Sequence, residues 1–228
     1  MIDIHAHILP IDDGSKDLET SLSMLKKSIE QGITAIILTP HYNSTTKLTL
    51  EQTIDYFEEF KQIIKQKDYN IDLYLGQEVY IDRHYKKKIE QHDFLSLNGS
   101  KYILIEFDYD TKMDITEVVY ELIRLGYKPI IAHAERYENL TINDVEEIKE
   151  LGGYIQVNAN SVVGLSLGKS KAFAKKLLRK GLVDFIASDI HYFRKNKMKR
   201  AKTCVELKYG KEIKDLIFNL NAKKIIEG

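Results

Sequence analysis

Thr34-Ala35-Ile36-Ile37-Leu38, running directly into Thr39-Pro40-His41, contains the plan of the chain in miniature. The apolar run does not alternate with polar residues, which predicts a strand buried on both faces, as in parallel sheets covered by helices. The histidine just beyond it sets a reactive side chain at the strand's carboxyl end. Upstream, Met1-Ile2-Asp3-Ile4-His5-Ala6-His7 repeats the pattern as a short strand that leaves through two histidines. His5 and His7 are two positions apart and share a face of an extended chain, which suits one metal ion. Between these strands, Asp12-Asp13-Gly14-Ser15 forms a loop ending in a helix N-cap. Leu18, Leu22, Leu25 and Ile29 then recur at helical spacing as far as Gly32.

Downstream the same cycle continues. Thr49-Leu50-Glu51-Gln52 has capping-box form and opens a helix to about Lys67. Strands are predicted at 71–75, ending at Gly76-Gln77-Glu78, and at 102–105, delivering Glu106. Others cover 129–132, leading to His133-Ala134-Glu135-Arg136, and 154–157, running into Asn158. The last spans 183–187 and is left by Ser188-Asp189-Ile190-His191. Helical stretches stopped at Gly126, Gly152 and Gly181 lie between them, one of them capped from Asn143-Asp144, and two or three helices close the chain after Lys195. Seven short strands alternating with helices, without linker or repeat, predict a parallel α/β fold forming one domain over residues 1–228.

Composition narrows the function. The 228 residues are 43% hydrophobic and 30% charged, enough for a sizeable core. Lys plus Arg and Asp plus Glu are equal at 34 each, so no overall field favours nucleic acid or anionic membrane. No run approaches the roughly 18 apolar residues of a membrane span, and no secretory leader is evident, so a cytoplasmic protein without membrane insertion is expected. The single cysteine, Cys204, excludes an internal disulfide and a thiolate metal cluster, and its apolar neighbours mark it as a helix packing residue.

Just past the strands stand His5, His7, His41, Glu78, Glu106, His133, Asp189 and His191, and Asp13 in the first loop can join them. In a barrel of parallel strands such ends meet at one face, where these barrels hold their sites. Imidazole and carboxylate without thiolate suit manganese, iron or zinc. Nine candidate ligands exceed the needs of one ion, so two or three divalent ions are implied, with Glu78 able to bridge. Clustered ions lower the pKa of a bridging water toward neutrality and hold phosphoryl oxygens for in-line attack. Each residue has a plainer reading: Glu106 as a strand-end acid, His41 as a turn cap. His84 and His92 lie in a polar, basic segment and read as surface histidines. Arg136 and Arg194, each three residues beyond a candidate histidine, offer forks that match phosphate oxygens. Their plainer readings are a partner for Glu135 and part of a solvated basic helix.

Taken in order, Ile2-Asp3-Ile4-His5-Ala6-His7, Asp12-Asp13-Gly14, Thr39-Pro40-His41, Gly76-Gln77-Glu78, Ile105-Glu106-Phe107, Ala132-His133-Ala134-Glu135-Arg136-Tyr137 and Ala187-Ser188-Asp189-Ile190-His191 resemble the PHP (polymerase and histidinol phosphatase) superfamily. More closely they resemble the manganese-dependent protein-tyrosine phosphatases of Gram-positive capsule and exopolysaccharide operons. The resemblance runs to about Asn196. It implies a distorted seven-stranded (β/α) barrel, three metals with manganese first, and a cytoplasmic tyrosine kinase as the phosphotyrosine-bearing partner. It also implies that the nine residues above are metal ligands and that Arg136 and Arg194 hold phosphate. The sequence departs from the pattern at Tyr42 and Tyr192, which either narrow the pocket mouth or stack on an aromatic substrate.

A phosphotyrosine phosphatase fits this frame, because a phenolate of pKa about 10 leaves without a strong general acid. Two other readings stay open. One is a small-molecule phosphomonoesterase such as histidinol phosphatase; the other is a non-catalytic metal-binding module that docks a kinase. A nuclease is disfavoured by the charge balance.

Overall fold

The computed structural model describes residues 1–43, 45–46, 48–91, 93–164 and 168–227. The apolar runs form strands β1 (Ile2–Ala6), β2 (Ala35–Leu38), β3 (His41–Tyr42), β4 (Asp72–Leu75) and β5 (Glu78–Tyr80). They continue as β6 (Tyr102–Glu106), β7 (Lys128–Ile131), β8 (Tyr154–Asn158) and β9 (Phe185–Ala187). Every pairing is parallel. One sheet has the order β1-β2-β4 and the other β3-β5-β6-β7-β8-β9. A single bridge, Ala6 to Ile190, links the outer strands of the two, aided by bonds from Asp189 N to the His5 carbonyl (2.9 Å) and from His7 N to the Ile190 carbonyl (3.1 Å).

The expected seven strands are therefore present with a correction: two are broken, and the larger sheet holds six. Thr39-Pro40 separates β2 from β3: Thr39 N makes the last bond to β1, 2.9 Å from the Ala6 carbonyl, and Pro40 has no N–H with which to continue the ladder. Gly76-Gln77 separates β4 from β5. There Gln77 N bonds the Leu95 carbonyl (3.0 Å), and a Cβ on Gly76 would lie 2.7 Å from Leu97 Cδ2. Each break hands the chain from the three-stranded sheet to the six-stranded one, and with the Ala6–Ile190 bridge this joins the two into one curled wall.

Helices Leu18–Glu30, Leu50–Gln66, Tyr85–Gln91, Ile115–Arg124, Ile142–Leu151 and Gly168–Arg179 fill the crossovers. The Thr49–Gln52 capping box forms as expected. Two caps fall elsewhere than expected: Asp17, not Ser15, caps the first helix by accepting from Thr20 N at 2.7 Å, and Thr141 with Asp144 caps the helix assigned to Asn143. In each case the cap is the polar residue immediately before the first apolar residue of the helix. Met198–Tyr209, Lys211–Asp215 and Asn221–Ile226 close the chain. Among the described residues no helix is long and apolar enough to cross a membrane.

Alternation along the strands builds two apolar layers. On β6, Ile103 and Ile105 join Val119 and Leu122 of the covering helices, while Tyr102 and Leu104 join Ile4, Ile37, Ile130 and Phe185 inside the curl. Leu97 and Ile225 belong to that inner layer, so the closing helix plugs it. Each fully buried aliphatic side chain contributes about 1.5–3 kcal/mol. Cys204 is half-buried and packs against the outer layer, as expected.

Candidate metal centre

Parallel strands send their carboxyl ends to one side, and the backbone bends sharply there. His133 and Asp189 follow β7 and β9 with φ of 34° and 46°, left-handed values that cost a residue with a side chain about 1–3 kcal/mol. Two such residues, both reactive, at two strand ends mark a place where geometry serves chemistry. The loop after β1 is pressed onto His7: a Cβ on Gly14 would collide with the His7 side chain and carbonyl, and the Gly14 carbonyl accepts from Tyr192 N at 2.7 Å.

All nine predicted residues converge. Three overlapping groups have ligand atoms within 4.8 Å of one another: His7, Asp13, His41 and His191; His5, His7 and Asp189; and His41, Glu78 and Glu106. His133 joins through Glu78, with Nε2 2.9 Å from Oε1, and stands 3.7 Å from Glu106. Glu78 is central, lying 3.2 Å from His5, 3.1 Å from His7 and 3.2 Å from His41. Two overlapping groups share His7 and two share His41, so each of these rings belongs to more than one candidate ligand set.

The outward nitrogens of two rings are already committed. His5 Nδ1 faces Gln156 Oε1 at 3.1 Å, and His7 Nδ1 faces Asp12 Oδ2 at 3.0 Å. Both partners are acceptors, so both Nδ1 atoms carry hydrogen, and in the neutral rings both Nε2 atoms present lone pairs. Those lone pairs stand 3.0 Å apart and beside the Glu78 carboxylate. Neutral imidazoles so arranged repel one another, and a cation between them removes the conflict. His41 Nδ1 gives a second indication. It is buried without a hydrogen bond of acceptable geometry, yet it lies 3.2 and 3.1 Å from Glu78 and Glu106 oxygens. The donor set therefore fits divalent metal.

Without cations the balance falls to protons. Burial pulls the His7 imidazole down, but Asp12 and Glu78 outweigh it and hold it up at about 9. Burial likewise opposes His41, and Asp13, Glu106 and Glu78 push it to about 12. His191 moves the other way, to about 4, through burial and the neighbouring His7. Burial favours the neutral acid at Glu78 and Asp189, yet the surrounding cationic groups depress both.

A cleft of about 890 Å³ opens over this centre, lined also by Arg136, Arg194, Tyr109 and Phe193. Arg136 places Nη2 2.9 Å from Asp189 Oδ2, and Arg194 bonds both the Asp189 carbonyl (2.7 Å) and its carboxylate. Both arginines thus sit inside the cleft. Glu135 instead turns away, accepting from Ser161 Oγ (2.6 Å) and Asn158 N (3.1 Å).

Sequence reasoning overlooked several supports. Gln156 accepts from His133 N (2.8 Å) as well as facing His5, and Asn158 donates to Asp189 at 2.7 Å. A glutamine inside an otherwise apolar strand was the available signal. Tyr42 and Tyr192 do not line the cleft: Tyr42 donates to Asp93 (3.2 Å), and Lys16 sits 4.3 Å over the Tyr192 ring. Among the described residues the tyrosine and phenylalanine rings that line the cleft are Tyr80, Tyr109 and Phe193, the last two 53% and 60% exposed. His84 is exposed beside Arg83, and His92 lies outside the described residues.

Comparison with known proteins bears on this cleft. A family model described as capsular polysaccharide synthesis, CpsB/CapC, matches residues 1–227. The chain is 34% identical over 223 residues to the tyrosine-protein phosphatase YwqE of Bacillus subtilis (strain 168), covering 93% of this chain and 87% of that protein. It is 34% identical over 238 residues to the tyrosine-protein phosphatase CpsB of Streptococcus pneumoniae, covering 99% and 98%. One of the crystal structures of YwqE from Bacillus subtilis and CpsB from Streptococcus pneumoniae, described as unique metal-dependent tyrosine phosphatases, superposes with a TM-score of 0.91. That match has 32% identity and covers 100% of this chain and 94% of the other.

Proposed function

Because the chain belongs to the CpsB/CapC family of capsular polysaccharide synthesis, we propose that it is a metal-dependent protein-tyrosine phosphatase. The observation that carries this reading is the meeting of nine imidazoles and carboxylates with two arginines in one cleft. His5, His7, Asp13, His41, Glu78, Glu106, His133, Asp189 and His191 are assigned as ligands of two or three divalent ions, manganese first. When bound, such ions bring the pKa of a water near neutrality and neutralise phosphoryl oxygens.

The chain's own residues do the rest. Arg136 and Arg194 approach from the Asp189 side, where guanidinium forks hold phosphate oxygens. Tyr109 accepts from Arg136 Nη1 at 3.2 Å and steadies that fork. Gln156 and Asp12 fix the tautomers of His5 and His7, and Asn158 orients Asp189. No side chain is assigned as general acid, in keeping with a phenolate leaving group of pKa about 10.

We take the fold as a distorted seven-stranded (β/α) barrel of the PHP type, a single domain closed by the Ala6–Ile190 bridge. The substrate is a phosphotyrosine-bearing protein of capsule or exopolysaccharide synthesis, a tyrosine kinase first. Because such a kinase spends ATP, we take the reaction as cytoplasmic.

The test is turnover of a phosphotyrosine peptide with added manganese, with and without chelator, beside a phosphoserine peptide and histidinol phosphate. Metal-dependent hydrolysis selective for phosphotyrosine is expected. Equal or faster turnover of phosphoserine or histidinol phosphate would overturn the assignment, and metal binding without hydrolysis would leave only a docking module.

A further inference from the structure

The chain is neutral overall, but its charge is unevenly placed. Between Leu151 and Val205 stand twelve Lys or Arg residues and only two acids, Asp184 and Asp189. Both acids are already engaged: Asp184 by Lys149 at 2.6 Å, Asp189 by Arg136 and Arg194 in the cleft. On helix Gly168–Arg179, Lys169, Lys175, Lys176 and Arg179 are exposed, as are Lys195, Lys199 and Arg200 near the start of helix Met198–Tyr209. Among the described residues, none of these seven side chains takes part in an ion pair.

The topology joins these charges to the cleft. Helix Gly168–Arg179 packs against the turn Ala134–Arg136, which carries one arginine, and Lys195 directly follows the other. The short helix Ala159–Val162 contacts both basic helices and so links them. The basic surface is continuous with the arginine side of the active cleft.

From this continuity, and resting on the phosphatase reading, we infer that the surface docks an acidic segment flanking the phosphotyrosine of the substrate protein. Charge complementarity selects the partner: free cations beside a phosphate-binding cleft attract carboxylates on the same chain as the phosphate. A bilayer is a poorer match. Ala174, Leu177 and Leu178 of the basic helix are buried, as are Met198, Ala201 and Val205 of the next, which removes the apolar face that seats interfacial helices in lipid.

The experiment compares two phosphotyrosine peptides of equal length, one flanked by Glu and Asp, the other by Ser and Gly, with p-nitrophenyl phosphate as a substrate lacking flanks. The metal-loaded protein is tested beside two variants, Lys175→Glu/Lys176→Glu/Arg179→Glu and Lys195→Glu/Lys199→Glu. The acidic peptide should be favoured by about tenfold in kcat/KM at low salt, chiefly through KM, and the preference should fade toward about 1 M salt as screening shortens to about 3 Å. Each variant should lose that preference while hydrolysing p-nitrophenyl phosphate within about twofold of the parent. Equal turnover of the two peptides by the parent would overturn the inference while leaving the phosphatase reading intact. So would retention of the preference by both variants, or binding to anionic vesicles without any peptide preference. Failure to hydrolyse p-nitrophenyl phosphate at all would count against the phosphatase reading itself.

Discussion

Leu104 and Glu106 are two residues apart on β6, yet they belong to different worlds. Leu104 is wholly buried among Ile4, Ile130 and Phe185, inside the curl and beneath the closing helix. Glu106 is 15% exposed and lies 3.1 Å from the His41 ring in the cleft. The same contrast holds along β1, where Ile4 belongs to the floor and His5 to the rim. Stability is concentrated where no charge is admitted, and chemistry where like charges crowd together. Substitutions at the two ends should therefore fail in different ways.

The largest effect is expected at the rim. Chelation, or His5→Ala, should lower kcat/KM for an aryl phosphate by on the order of a thousandfold or more, since the ions supply the main charge stabilisation. Metal content measured on the purified variant should fall in parallel, while circular dichroism keeps its helical signal. Unfolding on chelation would break the comparison, because the ions would then hold the floor as well. A smaller loss is expected for Gln156→Leu, which removes the acceptor facing His5 Nδ1 and His133 N. Metal affinity should weaken by about 10–100-fold, with activity restored at high metal concentration. An activity loss that excess metal does not restore would assign Gln156 to the floor instead. The smallest effect on turnover belongs to Leu104→Ala. It should cost about 2–5 kcal/mol in denaturant unfolding, yet leave kcat nearly unchanged below its melting temperature.

The sequence revealed the rim better than the sheet that carries it. Histidines and acids after apolar runs are visible because each run is short and ends abruptly, so the positions of His41, Glu78 and Asp189 at strand ends are legible in the sequence. The breaks at Thr39-Pro40 and Gly76-Gln77 were not visible as breaks. They depend on which sheet the next residues pair with and, at Gln77, on the Leu95 carbonyl, distant in sequence, which takes the backbone N–H. Gln156 and Asn158 escaped for the same reason, since their roles exist only once β8 lies beside β7 and β9. The aromatic residues at the mouth were misassigned to Tyr42 and Tyr192. Which ring reaches the cleft is decided by the direction in which strand ends and loops leave the sheet, here Tyr80, Tyr109 and Phe193, and local pattern does not encode that.

One consequence follows from the bridge between β1 and β9. Asp3 Oδ1 accepts from Ser188 N at 3.0 Å across a separation of 185 residues, and the cleft straddles that junction. A polypeptide emerging from the ribosome carries His5 and His7 well before Asp189, His191 and Arg194 are added. Domains fold as units as they are completed, so on the site assignment proposed above hydrolysis waits until the last strand has met the first.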